Sequence, residues 1–170
     1  ANDHGEVVGR SITTAGDAQA FRWSDGELTE LAPEPVASSS AVDVSEEGHV
    51  LVNGRHDNRG RGYVWSNGNL VQLEAPDGAT TVAADINASG EVVGQSTTST
   101  GVTRPVLWRK GRAVFLHTAR EDLGGTSTAL NDEGDATGTV RQRRSQGYRA
   151  FFWAGGAMRI LDHSRFEHTP

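Results

Sequence analysis

The stretch "RPVLWRKGRAVFL" at residues 104–116 decides the fold, because three other segments of the chain repeat it. The other copies are "QAFRWSDGELTEL" at 19–31, "RGYVWSNGNLVQL" at 61–73 and "RAFFWAGGAMRIL" at 149–161. Each copy has a tryptophan, a glycine three residues later and a leucine eight residues later. The successive tryptophans, Trp23, Trp65, Trp108 and Trp153, are 42, 43 and 45 residues apart. A period of this length indicates a repeat architecture.

A second shared piece precedes each tryptophan segment. It reads "NDHGEVVG" at 2–9, "VSEEGHVLV" at 44–52, "INASGEVVG" at 86–94 and "LNDEGDATG" at 130–138. Apolar residues in the copies alternate with a period of two, which is typical of strands with one buried face. Glycine-containing turns separate these strands. One copy is therefore predicted to form four antiparallel strands in about 42 residues, the size of a propeller blade.

The prediction for the whole chain is all-β: a four-bladed β-propeller-like ring in a single repeat domain, 1–170. The copies are approximately 1–36, 37–78, 79–122 and 123–163. From each repeat leucine to the next turn glycine the distance is 17, 17 and 18 residues, and joining the two chain ends gives 14. The tail 164–170 is thus predicted to complete the first copy and close the ring. The alternative is that the chain is cut from a longer array, which would make the similar length accidental.

In these motifs the sequence resembles the HAF family of probable extracellular repeat proteins. That family is marked by an "[I/L]N-x-x-G-x-V-V-G" piece and a His-Ala-Phe-x-Trp piece followed by Gly and Leu. This chain has Gln19, Arg61, Arg104 and Arg149 where the family has its histidine. The resemblance implies a repeat β architecture and an exported protein, and it brings no activity with it.

Composition excludes several function classes. The chain has 170 residues and a net charge of −6, which disfavours non-specific binding to nucleic acid. No apolar run approaches the 18 or so residues of a membrane-spanning helix. Cysteine is absent, so disulfides contribute nothing. No cofactor is predicted, because phosphate-binding and dinucleotide-binding fingerprints are missing.

The aromatic residues of the tryptophan segments are predicted to fill the space between neighbouring blades, since one blade cannot bury its own faces. The arginines four residues before tryptophan should lie at the ends of these aromatic rows. Arg104 is therefore predicted to stack on a neighbouring ring. A sugar-binding or base-binding platform is the weaker interpretation, because the same residue recurs in every copy.

Two loops are rich in arginine, and they belong to opposite copies of a four-bladed ring. The loop before the second tryptophan segment is "NGRHDNRG" and that before the fourth is "VRQRRSQGY". The equivalent loops of the other two copies carry mostly Ser, Thr and Gly. The predicted function is binding or scaffolding, with an anionic small molecule or an acidic partner surface contacted by Arg55, His56, Arg59, Arg61, Arg141, Arg143, Arg144 and Arg149.

An enzyme is the alternative, such as a lyase, cyclase or hydrolase with its site at the mouth of the central channel. The catalytic candidates on the face with the longer loops would be His56, Asp57, His117, Glu121 and Asp122, and the sequence does not choose among them. "DINASG" at 85–90 matches the start of a calcium loop, but the twelfth position is Ser96 rather than an acidic ligand. No metal site is predicted.

Overall fold

The computed structural model describes residues 1–32, 35–76, 80–116, 122–142 and 147–161. Its secondary structure there consists of fifteen strands: β1 (Val7–Ile12), β2 (Ala18–Ser24), β3 (Glu27–Glu30), β4 (Ala37–Val44), β5 (Val50–His56), β6 (Arg59–Ser66), β7 (Asn69–Gln72), β8 (Thr80–Ile86), β9 (Val92–Thr97), β10 (Thr103–Arg109), β11 (Arg112–Phe115), β12 (Asp122–Leu130), β13 (Ala136–Gln142), β14 (Tyr148–Ala154) and β15 (Ala157–Ile160). Within these ranges no helix has the length and hydrophobicity of a membrane span.

The strands form four antiparallel meanders in chain order. The first sheet is β1-β2-β3, the second β4-β5-β6-β7, the third β8-β9-β10-β11 and the fourth β12-β13-β14-β15. The predicted all-β, four-bladed propeller-like fold is confirmed. In the second, third and fourth sheets, β4, β8 and β12 are the innermost strands, because they contact one another from sheet to sheet. Among the described residues the first sheet lacks this innermost strand, as the sequence of the first copy predicts.

Turn chemistry explains how each copy folds. In the tryptophan hairpins both central residues have positive φ, for example Asn67 (49°) and Gly68 (82°), which matches the twist of a two-residue hairpin. The other repeated turn lies between the innermost strand and the next one, where the Gly48 N–H donates to the carbonyl of Ser45. Residues 2–5, 87–90 and 131–134 form the same turn.

Neighbouring sheets pack face to face by one rule. The face that carries the tryptophan packs against the opposite face of the preceding sheet. Trp108 of the third sheet is fully buried against Leu51 and Leu73 of the second. Trp153 of the fourth sheet packs against Leu107 of the third. Burial of these apolar faces between sheets is the main stabilising contribution of a repeat fold.

The first tryptophan departs from this rule. Trp23 is 42% exposed, and Val7 and Leu28 on the same face are 41% and 63% exposed. The prediction that all the repeat tryptophans are core residues is therefore wrong for Trp23. The physical reason is that no sheet precedes the first one among the described residues, so its tryptophan face has nothing to pack against.

Contacts between sheets join the first to the second, the second to the third and the third to the fourth. Within the described ranges no strand of the fourth sheet has extensive contact with a strand of the first. The predicted closing segment, 164–170, lies outside the described residues. Ring closure by this tail stays a prediction, as do the proposed boundaries of the copies.

Candidate functional site

The two ends of the sheets differ in charge. We call the end with the turns 2–5, 45–48, 87–90 and 131–134 the turn end. We call the opposite end, with the connections β1–β2, β5–β6, β9–β10 and β13–β14, the hairpin end. Antiparallel strand order places all four of these connections at the same end. The hairpin end therefore collects the arginine-bearing hairpins of the second and fourth sheets.

The β5–β6 hairpin contributes four of the eight predicted site residues. Its tip turns tightly at Asp57 and Asn58, which both have positive φ. Register pairs His56 with Arg59 across the hairpin, and Arg55 donates from Nη2 to Asn58 Oδ1 at 3.4 Å. His56 Nε2 lies 3.7 Å from the Asp57 carboxylate, which is almost fully exposed. Arg61 follows two residues after Arg59 along the same strand.

The β13–β14 hairpin brings two more predicted arginines to this end. Arg141 is exposed on β13, and Arg149 pairs in register with Val140 from β14. Arg143 and Arg144 lie outside the described residues. Of the alternative catalytic candidates, His117 and Glu121 also lie outside them, and Asp122 begins β12.

A cavity of about 370 Å³ opens at the hairpin end between the first and second sheets. Its charged lining residues are Arg55, which is one of the predicted site residues, and the aspartates Asp17 and Asp57. Pro35 and Ser38 form the wall beside β4. The Arg55 guanidinium thus lies in a concave part of the hairpin end, at the mouth of the β5–β6 hairpin.

The turn end is acidic. A cavity of about 380 Å³ lies among the turns of the second, third and fourth sheets, and its charged lining residues are Glu46, Asp132 and Glu133. Within the described ranges no three His, Cys, Asp or Glu side chains are grouped closely enough to hold a metal ion. The acidic turn end and the arginine-bearing hairpin end give the protein a charge asymmetry along the strand direction.

Hydrogen bonds between equivalent turns tie the sheets together at the turn end. The Asn2 side-chain amide donates to the carbonyl of Ser45, and the Asn87 amide donates to the carbonyl of Asn131. We call this contact the asparagine clasp. It was not predicted from the sequence. The signal was present, since Asn recurs at this position in three of the four copies.

Ion pairs beside the clasps also place a guanidinium next to the tryptophan of the following sheet. Arg22 pairs with the Glu6 carboxylate, and its guanidinium lies 5.6 Å from the centre of the Trp65 ring. Burial raises the pKa of Glu6, but hydrogen bonds from Arg22 and Asn2 outweigh it and hold that pKa below its usual value. Arg109 repeats the arrangement with Glu91 and Trp153.

Arg104 has the structural role expected from the sequence. Its guanidinium lies 5.5 Å from the centre of the Phe115 ring in the same sheet, which is a cation–π contact. The prediction that Arg104 stacks on a neighbouring ring is confirmed.

Two aspartates meet on the innermost strands near the axis. Asp85 accepts hydrogen bonds from the backbone N–H groups of Leu130 and Ile86, and Asp43 accepts one from Val44. Burial raises the pKa of Asp85, and the neighbouring Asp43 carboxyl raises it further. Asp85 is the first residue of the segment that matches the start of a calcium loop. Its carboxylate instead joins the third sheet to the fourth.

Replacing Asp43 with asparagine is expected to stabilise the protein near neutral pH by about 1 kcal/mol. The asparagine Oδ1 keeps the bond from Val44, and its amide can donate to the Asp85 carboxylate instead of repelling it. Because the folded-state pKa of Asp85 is raised, its contribution to stability is present below its unfolded pKa and is lost as pH rises through the folded pKa. The variant should show a smaller decline, because the contribution of Asp43 is removed while that of burial remains, and urea unfolding between about pH 4 and pH 7 measures the difference.

The matched control is Asp17→Asn, at an exposed aspartate of the hairpin end. It should leave both the stability at neutral pH and its pH dependence close to those of the parent. A parent-like pH profile for Asp43→Asn would contradict the assigned pairing of the two carboxyl groups.

Comparison with solved structures supports the propeller fold. The chain is similar to the β-propeller domain of the Trilobed protease from Pyrococcus furiosus, which is described as having an open velcro topology. The TM-score is 0.60 at 14% identity, over 92% of this chain and 50% of that one. This chain thus spans half the length of the chain it resembles.

Comparison at the sequence level gives no family. No family model matches the chain, and no curated protein matches it either. The HAF resemblance therefore has no support from family comparison, whereas the propeller-like fold that it implied is supported by the structure. The comparison therefore shows the fold of this chain and assigns it no role.

Proposed function

We propose that the protein binds an anionic small molecule at its hairpin end. The observation that carries this proposal is the charge asymmetry. The β5–β6 hairpin brings Arg55, Arg59 and Arg61 to the hairpin end, and the β13–β14 hairpin brings Arg141 and Arg149 to the same end. At the turn end, the charged residues that line the cavity among the turns are all acidic instead.

Physical chemistry favours an anion at such a place. Cations gathered at one end of a protein with net charge −6 create a local positive potential. A guanidinium presents a planar fork of donors that fits a phosphate or carboxylate group with two parallel hydrogen bonds. The cavity beside Arg55 offers a concave surface next to these donors. A phosphorylated or carboxylated compound satisfies both features.

The test compares two double variants with the same change in net charge. Arg55→Gln with Arg141→Gln removes two exposed cations from the hairpin end, and Lys110→Gln with Arg112→Gln removes two exposed cations from the turn end. The probes are inorganic phosphate, sulfate and citrate, with binding followed by calorimetry and thermal shift at low and moderate salt. We expect the hairpin-end variant to lose about thirtyfold in affinity, because each of the two lost charged hydrogen bonds contributes about 1 kcal/mol and about 1.4 kcal/mol corresponds to a factor of ten.

The control variant should bind like the parent, and added salt should weaken parent binding by screening the exposed contacts. Equal loss of affinity in both variants would mean that only net charge matters, which contradicts a site at the hairpin end. If none of the anions binds, the proposal fails. A neutral substrate that is turned over would then support the enzyme alternative, and an acidic protein that binds would support a partner surface.

A further inference from the structure

Each internal interface joins the leucine face of one sheet to the tryptophan face of the next. The first sheet has an exposed tryptophan face, and the fourth sheet has an exposed leucine face. The repeat leucines Leu31, Leu73 and Leu116 are each 1% exposed, because the next sheet covers them. Leu161 occupies the equivalent position: its N–H donates to the Ala150 carbonyl as that of Leu31 donates to Ala20. Leu161 is nevertheless 42% exposed. The fourth sheet therefore presents a leucine face without a following sheet among the described residues.

The first sheet presents the complementary half. Trp65, Trp108 and Trp153 all lie on faces packed against a preceding sheet. Trp23 has the same place in its hairpin and is 42% exposed, together with Leu28 and Val7. The tryptophan face of the first sheet and the leucine face of the fourth sheet are thus partly exposed, and no other sheet covers either of them among the described residues.

We propose that a second copy of this chain covers both faces. The leucine face of each copy's fourth sheet packs on the tryptophan face of the other copy's first sheet, so that two copies close a ring of eight sheets. The association is head to tail, and it repeats an interface that each chain already contains three times. This inference goes beyond the proposed function and does not depend on it.

The hydrogen bonds of the turn end support this pairing. The asparagine clasp needs an Asn in one sheet and a facing turn carbonyl in the next. A second bond runs beside it: the Asp3 N–H donates to the Glu46 carboxylate, and the Ala88 N–H donates to the Asp132 carboxylate.

The fourth sheet has the residues for a further clasp toward a following first sheet. Asn131 has no acceptor for its side-chain amide among the described residues, although its Oδ1 accepts from Asp135. The turn of the first sheet has Asp3 where the fourth has Asp132. In the proposed ring the Asn131 amide donates to the Asn2 carbonyl of the second copy, and the Asp132 N–H donates to the Asp3 carboxylate of the second copy.

The second and third sheets show that the repeat does not require an asparagine and a carboxylate at the clasp positions. At the equivalent places the second sheet has Ser45, whose side chain is shorter than that of Asn, and the third has Ala88, which has no carboxylate. Two of the three internal interfaces have the clasp and the one between the second and third sheets does not, so the repeat itself does not require Asn131 and Asp3 at their positions.

Charge is also complementary across the proposed interface. Between the second and third sheets, Val71 lies beside Gly111, which follows Lys110. Equivalent positions in the proposed interface hold Arg159 in place of Val71 and Asp25 in place of Lys110. Both residues are exposed in the single chain. A cation and an anion are thus placed to meet where the internal interface has no such pair.

The size of the ring agrees with the structural comparison. The four sheets align over half the chain length of a larger propeller. Two copies of this chain together have about the length of that propeller chain.

The first test is the mass of the protein in solution, measured by light scattering and sedimentation. The parent is expected to have twice the chain mass of 18.1 kDa. Trp23→Asp should reduce the mass to that of one chain without loss of folding, since the residue is partly exposed in the single chain. The matched control is Val114→Asp, at a residue of the third sheet with a similar exposure of 41%, and it should leave the double mass unchanged.

The second test distinguishes a head-to-tail interface from a face that pairs with itself. Leu161→Asp should also give single chains. A mixture of the Trp23→Asp and Leu161→Asp proteins retains one intact interface, formed by the fourth sheet of the first variant and the first sheet of the second. We expect the mixture to form heterodimers, whereas neither variant associates alone.

The third test exchanges charges. Asp25→Lys and Arg159→Glu should each raise the dimer dissociation constant about fivefold, and the double variant should recover most of that loss. Lysine is compatible with the backbone at position 25, because Lys110 has the same positive φ in the equivalent turn.

Three outcomes would overturn the inference. A parent that stays a single chain at every concentration, with blue-shifted Trp23 emission, would show closure within one chain. Open arrays longer than two copies would show that two copies do not close the ring. Dissociation of the parent by Val114→Asp to the same extent as by Trp23→Asp would place the interface elsewhere.

Discussion

Replacing Trp108 with alanine is expected to destabilise the protein by about 3–5 kcal/mol, a large part of a total stability of about 5–15 kcal/mol. The Trp108 ring is fully buried between the second and third sheets, and its Nε1–H donates to the Glu74 carbonyl at 2.8 Å. Truncation leaves a cavity and an unpaired carbonyl in the same interface. The loss is measured from the urea midpoint, provided that the slope of the transition is unchanged.

Val71→Ala is the matched control, because Val71 is 55% exposed on the outermost strand of the second sheet. It should change the free energy of unfolding by no more than about 0.5 kcal/mol. A Trp108→Ala protein as stable as this control would show that the tryptophan interface contributes little to the fold.

Replacing Gly138 with alanine is expected to cost about 3 kcal/mol, at the upper end of overpacking effects. A Cβ atom at Gly138 would lie 2.1 Å from the Thr126 carbonyl oxygen and 2.8 Å from the Phe151 ring. The carbonyl belongs to the innermost strand, where a bulge between Ser127 and Ala129 brings the backbone close. Relief requires β12 and β13 to separate, which breaks ladder hydrogen bonds. The free energy of unfolding in urea measures the effect.

Gly9 is the equivalent glycine of the first sheet and provides a matched control. A Cβ atom there would meet only the edge of the Phe21 ring, at 3.2 Å, because no innermost strand pairs with β1 among the described residues. Gly9→Ala should therefore cost less than about 1 kcal/mol. An equal loss in the two variants would indicate that a fourth strand pairs with β1, as predicted for the tail 164–170.

The sequence alone determined the repeat and its strands. Fixed spacing from tryptophan to glycine to leucine, with apolar residues alternating, requires hairpins that bury one face, and both of these signals are local. Positive φ at glycines such as Gly68 and Gly111 follows from turn chemistry within a few residues.

Only the tertiary structure decided which residues at the same repeat position also have the same environment. Trp23 and Trp108 share one local motif, yet one is 42% exposed and the other is fully buried, because burial depends on the neighbouring sheet. The asparagine clasp and the Asp43–Asp85 contact are also decided between sheets, by residues more than 40 positions apart. Sequence spacing sets the path of one repeat, whereas the packing of repeats on one another sets exposure, pairing and pKa.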